Sequence, residues 1–119
     1  MTADEKIRRF ERALALGGNT HSVQDVVAKV REGRAQYWEH GETCAITEVI
    51  VFPRFSTLNL WLTAGTLAEC YPLNDSIAAW AADQGCKWMT ASGRIGWQRV
   101  AASFGWRPRA MQFYKELTP

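Results

Sequence analysis

The stretch Leu58-Asn59-Leu60-Trp61-Leu62-Thr63-Ala64 alternates large apolar residues with smaller or polar ones, the pattern of a half-buried strand. From Asp75 to Gln84, the residues Ile77, Ala78, Trp80 and Ala81 are spaced to fill one face of a helix. Gly85 follows, where a left-handed C-terminal residue is wanted. Cys86-Lys87-Trp88-Met89-Thr90 then reads as a second strand. Two strands joined through a helix run parallel, because only a crossover returns the chain to the same edge. A βαβ unit is therefore expected at the centre, with a further helix from Arg94 to Phe104 behind it.

Upstream of this unit the chain opens on a helix. Thr2 and Glu5 have capping-box spacing, and Ile7, Phe10 and Leu14 share a face. Gly17-Gly18 ends it. Ser22 and Asp25 repeat the capping arrangement, and Val23, Val26, Val27 and Val30 give a second apolar face, closed by Gly33. Four Val have low helix propensity, so this helix depends on packing. Ala35-Gln36-Tyr37-Trp38 and the β-branched run Thr43 to Phe52 read as a hairpin with its turn over residues 39–42. Pro53 to Ser56 breaks the run before Leu58. Downstream, Pro108 closes a turn and residues 110–117 read as a last strand. The expected class is α/β with a mixed sheet, in the order α-α-β-β-β-α-β-α-β, over a single domain, 1–119.

Composition narrows the function classes. With 47% apolar and 22% charged residues the chain has the balance of a globular protein, and a net charge of +2 is too small to imply a nucleic-acid or membrane partner. No apolar run approaches the roughly 20 residues that span a bilayer, and the charged start, Thr2 to Lys6, is not that of a signal peptide. Cys44, Cys70 and Cys86 are odd in number and lack metal-ligand spacing, which points to reduced thiols and a cytoplasmic setting.

The element order resembles the GNAT (Gcn5-related N-acetyltransferase) fold. Ala79 to Lys87 resembles the family's passage from third helix to fifth strand. Phe104-Gly105-Trp106 is similar to its "GF" turn, and Phe113 to Leu117 to its final strand. More narrowly, Glu32 to Trp38, Leu60-Trp61-Leu62 and Gly93-Arg94-Ile95-Gly96-Trp97 resemble short GNAT-like proteins of tailed phages and prophages. The wider resemblance implies acetyl-CoA as cofactor. The narrower one implies a virion-associated protein in the host cytoplasm or the phage particle.

In the family, the acetyl-CoA pyrophosphate rests on backbone N–H groups at the head of the third helix, on a loop rich in glycine. The matching segment here, Thr63 to Asn74, holds one glycine and no Arg or Lys, and Glu69 adds negative charge. The anion site is therefore expected to be remade or absent, with absence preferred. If the protein were an enzyme, Ala64, Gly65 and Thr66 would be the cofactor-binding candidates. The family's acidic Tyr, four residues before the "GF" glycine, falls on Ala101, which has no proton to give. Tyr114 is poorly placed to replace it. Glu48 is the nearest candidate base, and an exposed strand carboxylate is the preferred reading of it.

Other constellations carry less chemistry. His21 and His40 lack partners at metal-ligand spacing. Ser92 is best read as a helix cap and Arg94 as a solvated first-turn residue. Lys87, Arg94, Arg99, Arg107, Arg109 and Lys115 make the C-terminal third basic, but Glu69, Asp75, Asp83 and Glu116 dilute the patch. Trp61, Trp80 and Trp88 are expected to pack in the βαβ unit. Trp38, Arg94, Trp97, Trp106 and Arg107 are the candidates for an exposed interaction surface.

Three functions are expected from these residues, in order of preference. The first is a GNAT-like protein without cofactor or catalytic residues, which binds a protein partner or a second copy. It predicts exposed Trp and a filled cleft between the central parallel strands. The second is a divergent acetyl-CoA-dependent N-acyltransferase, with an open cleft where Ala64-Gly65 meets Trp88-Met89. The third is a small nucleic-acid-binding protein with a contiguous basic face.

Overall fold

The structure, a computed structural model, describes residues 2–93 and 98–117. Two helices, α1 (Ala3–Leu16) and α2 (Val23–Arg31), precede three strands, β1 (Gln36–His40), β2 (Thr43–Val51) and β3 (Ser56–Ala64). Then follow α3 (Leu67–Asp83), β4 (Cys86–Ala91) and α4 (Gln98–Ser103). Both expected capping boxes form. Thr2 and Glu5 exchange side-chain-to-backbone bonds of 3.1 and 3.2 Å, and Ser22 and Asp25 exchange bonds of 2.9 and 3.2 Å.

The strands lie in the order β1-β2-β3-β4. β1–β2 and β2–β3 are antiparallel, and β3–β4 is parallel across the α3 crossover, as the βαβ reading requires. Helices cover both faces. On one, Phe10, Leu14 and Val26 from α1 and α2 bury Cys44, Ile46, Leu62 and Ala64. On the other, Leu73, Ile77 and Ala81 from α3 bury Ala45 and Leu58. The end of α4 meets α3, where Phe104 stacks on Tyr71 with ring centroids 4.0 Å apart and Ser103 accepts a bond from the Tyr71 hydroxyl.

The alternation along β3 is not continuous. Ile46 pairs with Leu62 but Thr47 pairs with Leu60, so Trp61 is an extra residue in β3. This bulge reverses the phase of the strand. Leu58 and Leu60 face α3, whereas Leu62 and Ala64 face α1 and α2. Trp61 packs on the α2 side, edge-on to His21 at 4.7 Å and under Lys29 at 5.1 Å.

Three further expectations are corrected. Residues 110–117 form no strand, because no described strand pairs with them; their large side chains stay exposed. α3 begins at Leu67, not Asp75, and carries Pro72 within it. As its sixth residue, Pro72 cannot donate to the Ala68 carbonyl and its ring crowds that carbonyl, yet the helix runs on through Asp83. β1 runs on through His40, so the hairpin turn is shorter than expected. The expected start of the last helix, including Arg94 and Trp97, lies outside the described residues.

Candidate functional site

The pairing of β3 with β4 ends at Leu60 and Ala91, while β3 continues to Ala64. The bulge at Trp61 sits at this point. Beyond it β3 has a free edge toward β4, and the head of α3 stands at its end. This is the one place among the described residues where the two parallel strands part. Trp88 and Met89 pair with Thr57 and Leu58, far down β3, so they do not meet Ala64-Gly65 as expected.

Ala64, Gly65 and Thr66 are held by the protein itself. The Thr66 amide donates to Thr43 Oγ1 at 2.9 Å, and Thr43 Oγ1 lies 3.3 Å from the Thr66 carbonyl. Gly65, at φ +147°, lies so close to Thr43 that a β-carbon would collide with it. Its carbonyl accepts a long bond from Arg9 Nη1, 3.5 Å. Gly65 is thus needed for packing against β2, which a glycine in a strand end commonly serves.

Glu69, on the first turn of α3, reaches across to the β1–β2 hairpin. Its carboxylate accepts from the Glu42 amide at 3.0 and 3.1 Å and from Thr66 Oγ1 at 3.1 Å. A carboxylate at a helix N-terminus is favoured by the helix dipole. Sequence reading placed Glu69 correctly as a negative charge in this segment but missed its partner. Thr66-Leu67-Ala68-Glu69 has capping-box spacing, and that signal marks the true start of α3.

On the α2 face of the sheet a polar row crosses three strands. Lys29 Nζ lies 2.9 Å from Glu48 Oε2, Asn59 Nδ2 donates to Glu48 Oε1 at 3.3 Å, and Thr90 Oγ1 donates to Asn59 Oδ1 at 3.3 Å. Glu48 is therefore half-buried and paired, not the exposed carboxylate expected. A lysine at this distance occupies the carboxylate that a general base would present to an amine. Ala101 is half-buried on α4, and Tyr114 is fully out in solvent.

The remaining candidates are scattered. Trp38 is half-buried: its indole donates to Thr47 Oγ1 at 2.9 Å and meets Trp80 edge-on. Trp106 is half-buried and donates to Asn74 Oδ1 at 3.2 Å; Arg107 is exposed. Within the basic third, Lys87 and Arg109 both lie over Trp88, at 5.3 and 4.2 Å. Among the described residues no cluster of three metal-ligating side chains occurs, and no helix is long and apolar enough to cross a membrane.

A separate apolar cleft of about 430 Å³ lies between α1, α2 and the sheet, lined by Ile7, Phe10, Val26, Val30, Ile46 and Leu62. Tyr37 borders it. Burial, then its bond to the Glu39 carboxylate, pushes this phenol well above its ordinary range, so it stays protonated at neutral pH. The cleft offers packing surface without a base.

No family model matches the chain, and no curated protein does. Solved structures do. The protein TTHA1254 from Thermus thermophilus superposes with a TM-score of 0.62 at 13% identity, over 99% of this chain and 95% of that one. An acetyltransferase from Trypanosoma brucei gives 0.63 at 10% identity, over 98% and 96%. A structure described as a probable acetyltransferase gives 0.61 at 12% identity, over 98% and 90%. The likeness extends along nearly the whole chain and is a likeness of fold: this is the GNAT arrangement of acetyltransferases.

Proposed function

We propose that this GNAT-fold protein does not use acetyl-CoA and acts by binding another protein. The observation that carries the reading is the Glu69 carboxylate at the head of α3, fixed by the Glu42 amide and the Thr66 hydroxyl. A pyrophosphate bound there would meet a like charge. At roughly 4 Å and an effective dielectric of about 20, that repulsion is about 4 kcal/mol per unit charge, against about 0.3–1 kcal/mol from a helix dipole. The engagement of the Thr66 amide by Thr43 points the same way. So does the Lys29 cation on Glu48, the nearest base. The resemblance to short phage GNAT-like proteins supports a partner within a phage particle.

The second reading is a divergent N-acyltransferase. It is favoured by the free edge of β3 from Trp61 to Ala64, where an extended pantetheine arm could pair, and by acetyltransferases sharing the fold. Thermal denaturation with acetyl-CoA separates the two. A ligand at a hundredfold its Kd adds about 2.7 kcal/mol, which raises Tm by several degrees in a domain of this size. An unchanged Tm at millimolar acetyl-CoA is the expected result. A saturable rise would overturn the first reading and establish the second.

A further inference from the structure

β4 ends the sheet, so among the described residues one of its edges has no strand beside it. Trp88, Met89 and Thr90 on this strand remain half-buried. Such an edge, bearing free backbone groups, is a template for another strand.

The same molecule carries an unused strand. Residues 106–117 form neither helix nor strand, and Met111, Phe113, Tyr114 and Leu117 are 67, 84, 90 and 89% exposed. Four large apolar side chains within seven residues are far more than scattered surface hydrophobes. In β geometry Met111, Phe113 and Leu117 share one face. Residues 110–117 would extend about 26 Å, enough to run the full length of the six-residue β4. The segment is anchored only at its stem. Trp106 is bonded to Asn74, and the Arg109 guanidinium lies 4.2 Å from the Trp88 ring centroid. Past Arg109 every described residue is exposed, so the chain's own sheet does not take up the apolar part.

We propose that the partner of this surface is a second copy of the chain. Residues 110–117 of each copy pair along the free β4 edge of the other, in a reciprocal two-fold dimer. Because the stem is held beside β4, the donated strand leaves its own copy next to the edge that receives the partner's strand. The contact is therefore self-complementary, as a two-fold axis requires. Aromatic side chains bury roughly 150–250 Å² each. Phe113 and Tyr114 of both copies, with Met111 and Leu117, thus reach the ~1,000 Å² expected of a specific interface. The proposal goes beyond the reading of the cofactor site. A monomer would overturn it and leave the acetyl-CoA experiment unaffected.

The test uses the full chain. Sedimentation equilibrium at tens of micromolar is expected to give twice the 13.4 kDa chain mass. The Phe113→Asp, Leu117→Asp double variant is expected to sediment as a monomer that keeps the helical circular dichroism signal and the cooperative unfolding of the wild type. A benzophenone amino acid placed at Gln112 in the otherwise natural sequence is expected to give a dimer-mass product on irradiation, joined to the partner peptide that contains residues 86–91. This arm needs no destabilising substitution. A monomeric wild-type chain, a dimer that survives the double variant, or a cross-link within one chain would each overturn the proposal, the last by showing that the segment folds back on its own sheet.

Discussion

Gly41 and Glu69 share one space: a β-carbon on Gly41 would fall within the Glu69 carboxylate. The hairpin turn, with Gly41 at φ +59°, closes around that carboxylate and presents the Glu42 amide to it. The contact joins the start of α3 to the β1–β2 turn and holds a negative charge at the head of that helix.

Replacing either residue should loosen the same contact. Glu69→Ala loses bonds to a charged acceptor in a solvent-exposed setting and is expected to cost about 1–2 kcal/mol. Gly41→Ala adds a left-handed backbone penalty of about 1 kcal/mol to the loss of the contact. In the Glu69→Ala background only the backbone part remains, so the double variant should cost less than the sum. Urea denaturation of the four proteins measures this; strict additivity would show that the two residues do not share the site.

The bulge at Trp61 makes its own prediction. Leu58 and Leu62 are four residues apart, both are buried, and they lie in different cores on opposite faces of the sheet. Each truncation to Ala should cost about 2–4 kcal/mol. Since no cavity is shared, the two costs should add to within about 0.5 kcal/mol. A coupling well above that in equilibrium unfolding would place both side chains in one core and remove the bulge.

What could be read from sequence follows the range of the interactions. The two capping boxes, the glycine stops and the βαβ unit rest on spacings of three to seven residues, and all were legible. The bulge was not, since Leu58-Leu60-Leu62 alternates identically whether or not the strand changes face. The first turns of α3 were not legible, because they contain Pro72, the residue type least compatible with a helix interior. Glu69 could be seen as a misplaced charge for a phosphate site. Its partner could not, because the Glu42 amide lies 27 residues away. The segment 110–117 has strand composition, but a strand also needs an edge to receive it, and sequence alone does not say whose edge.

Lys29 and Glu48 supply a third prediction. Both side chains are half-buried, and Asn59 supports Glu48 from the neighbouring strand. Lys29→Met leaves a carboxylate with one hydrogen bond where it had two. The expected loss is about 1–2 kcal/mol, with a coupling to Glu48→Gln of about 1 kcal/mol in a double-mutant cycle. A coupling near zero would mean that solvent screens the pair completely.

Acid stability tests the second capping box. The Asp25 carboxyl is held below its ordinary value of 3.8, first by the Ser22 amide and then by the Ser22 hydroxyl. A carboxyl whose native pKa is depressed binds fewer protons in the folded state, so the unfolded state takes up protons first as pH falls. Its contribution is therefore complete above the unfolded value and is lost as pH drops through the native one. Asp25→Asn keeps the shape but removes the charge that favours the helix N-terminus. The wild type should exceed this variant in stability by a fixed margin at about pH 6–7. That margin should shrink once pH passes below about 4 and vanish when the native carboxyl is protonated. Urea midpoints of both proteins across this range measure it. A margin that persists unchanged into strong acid would show that the Asp25 charge does not stabilise the fold.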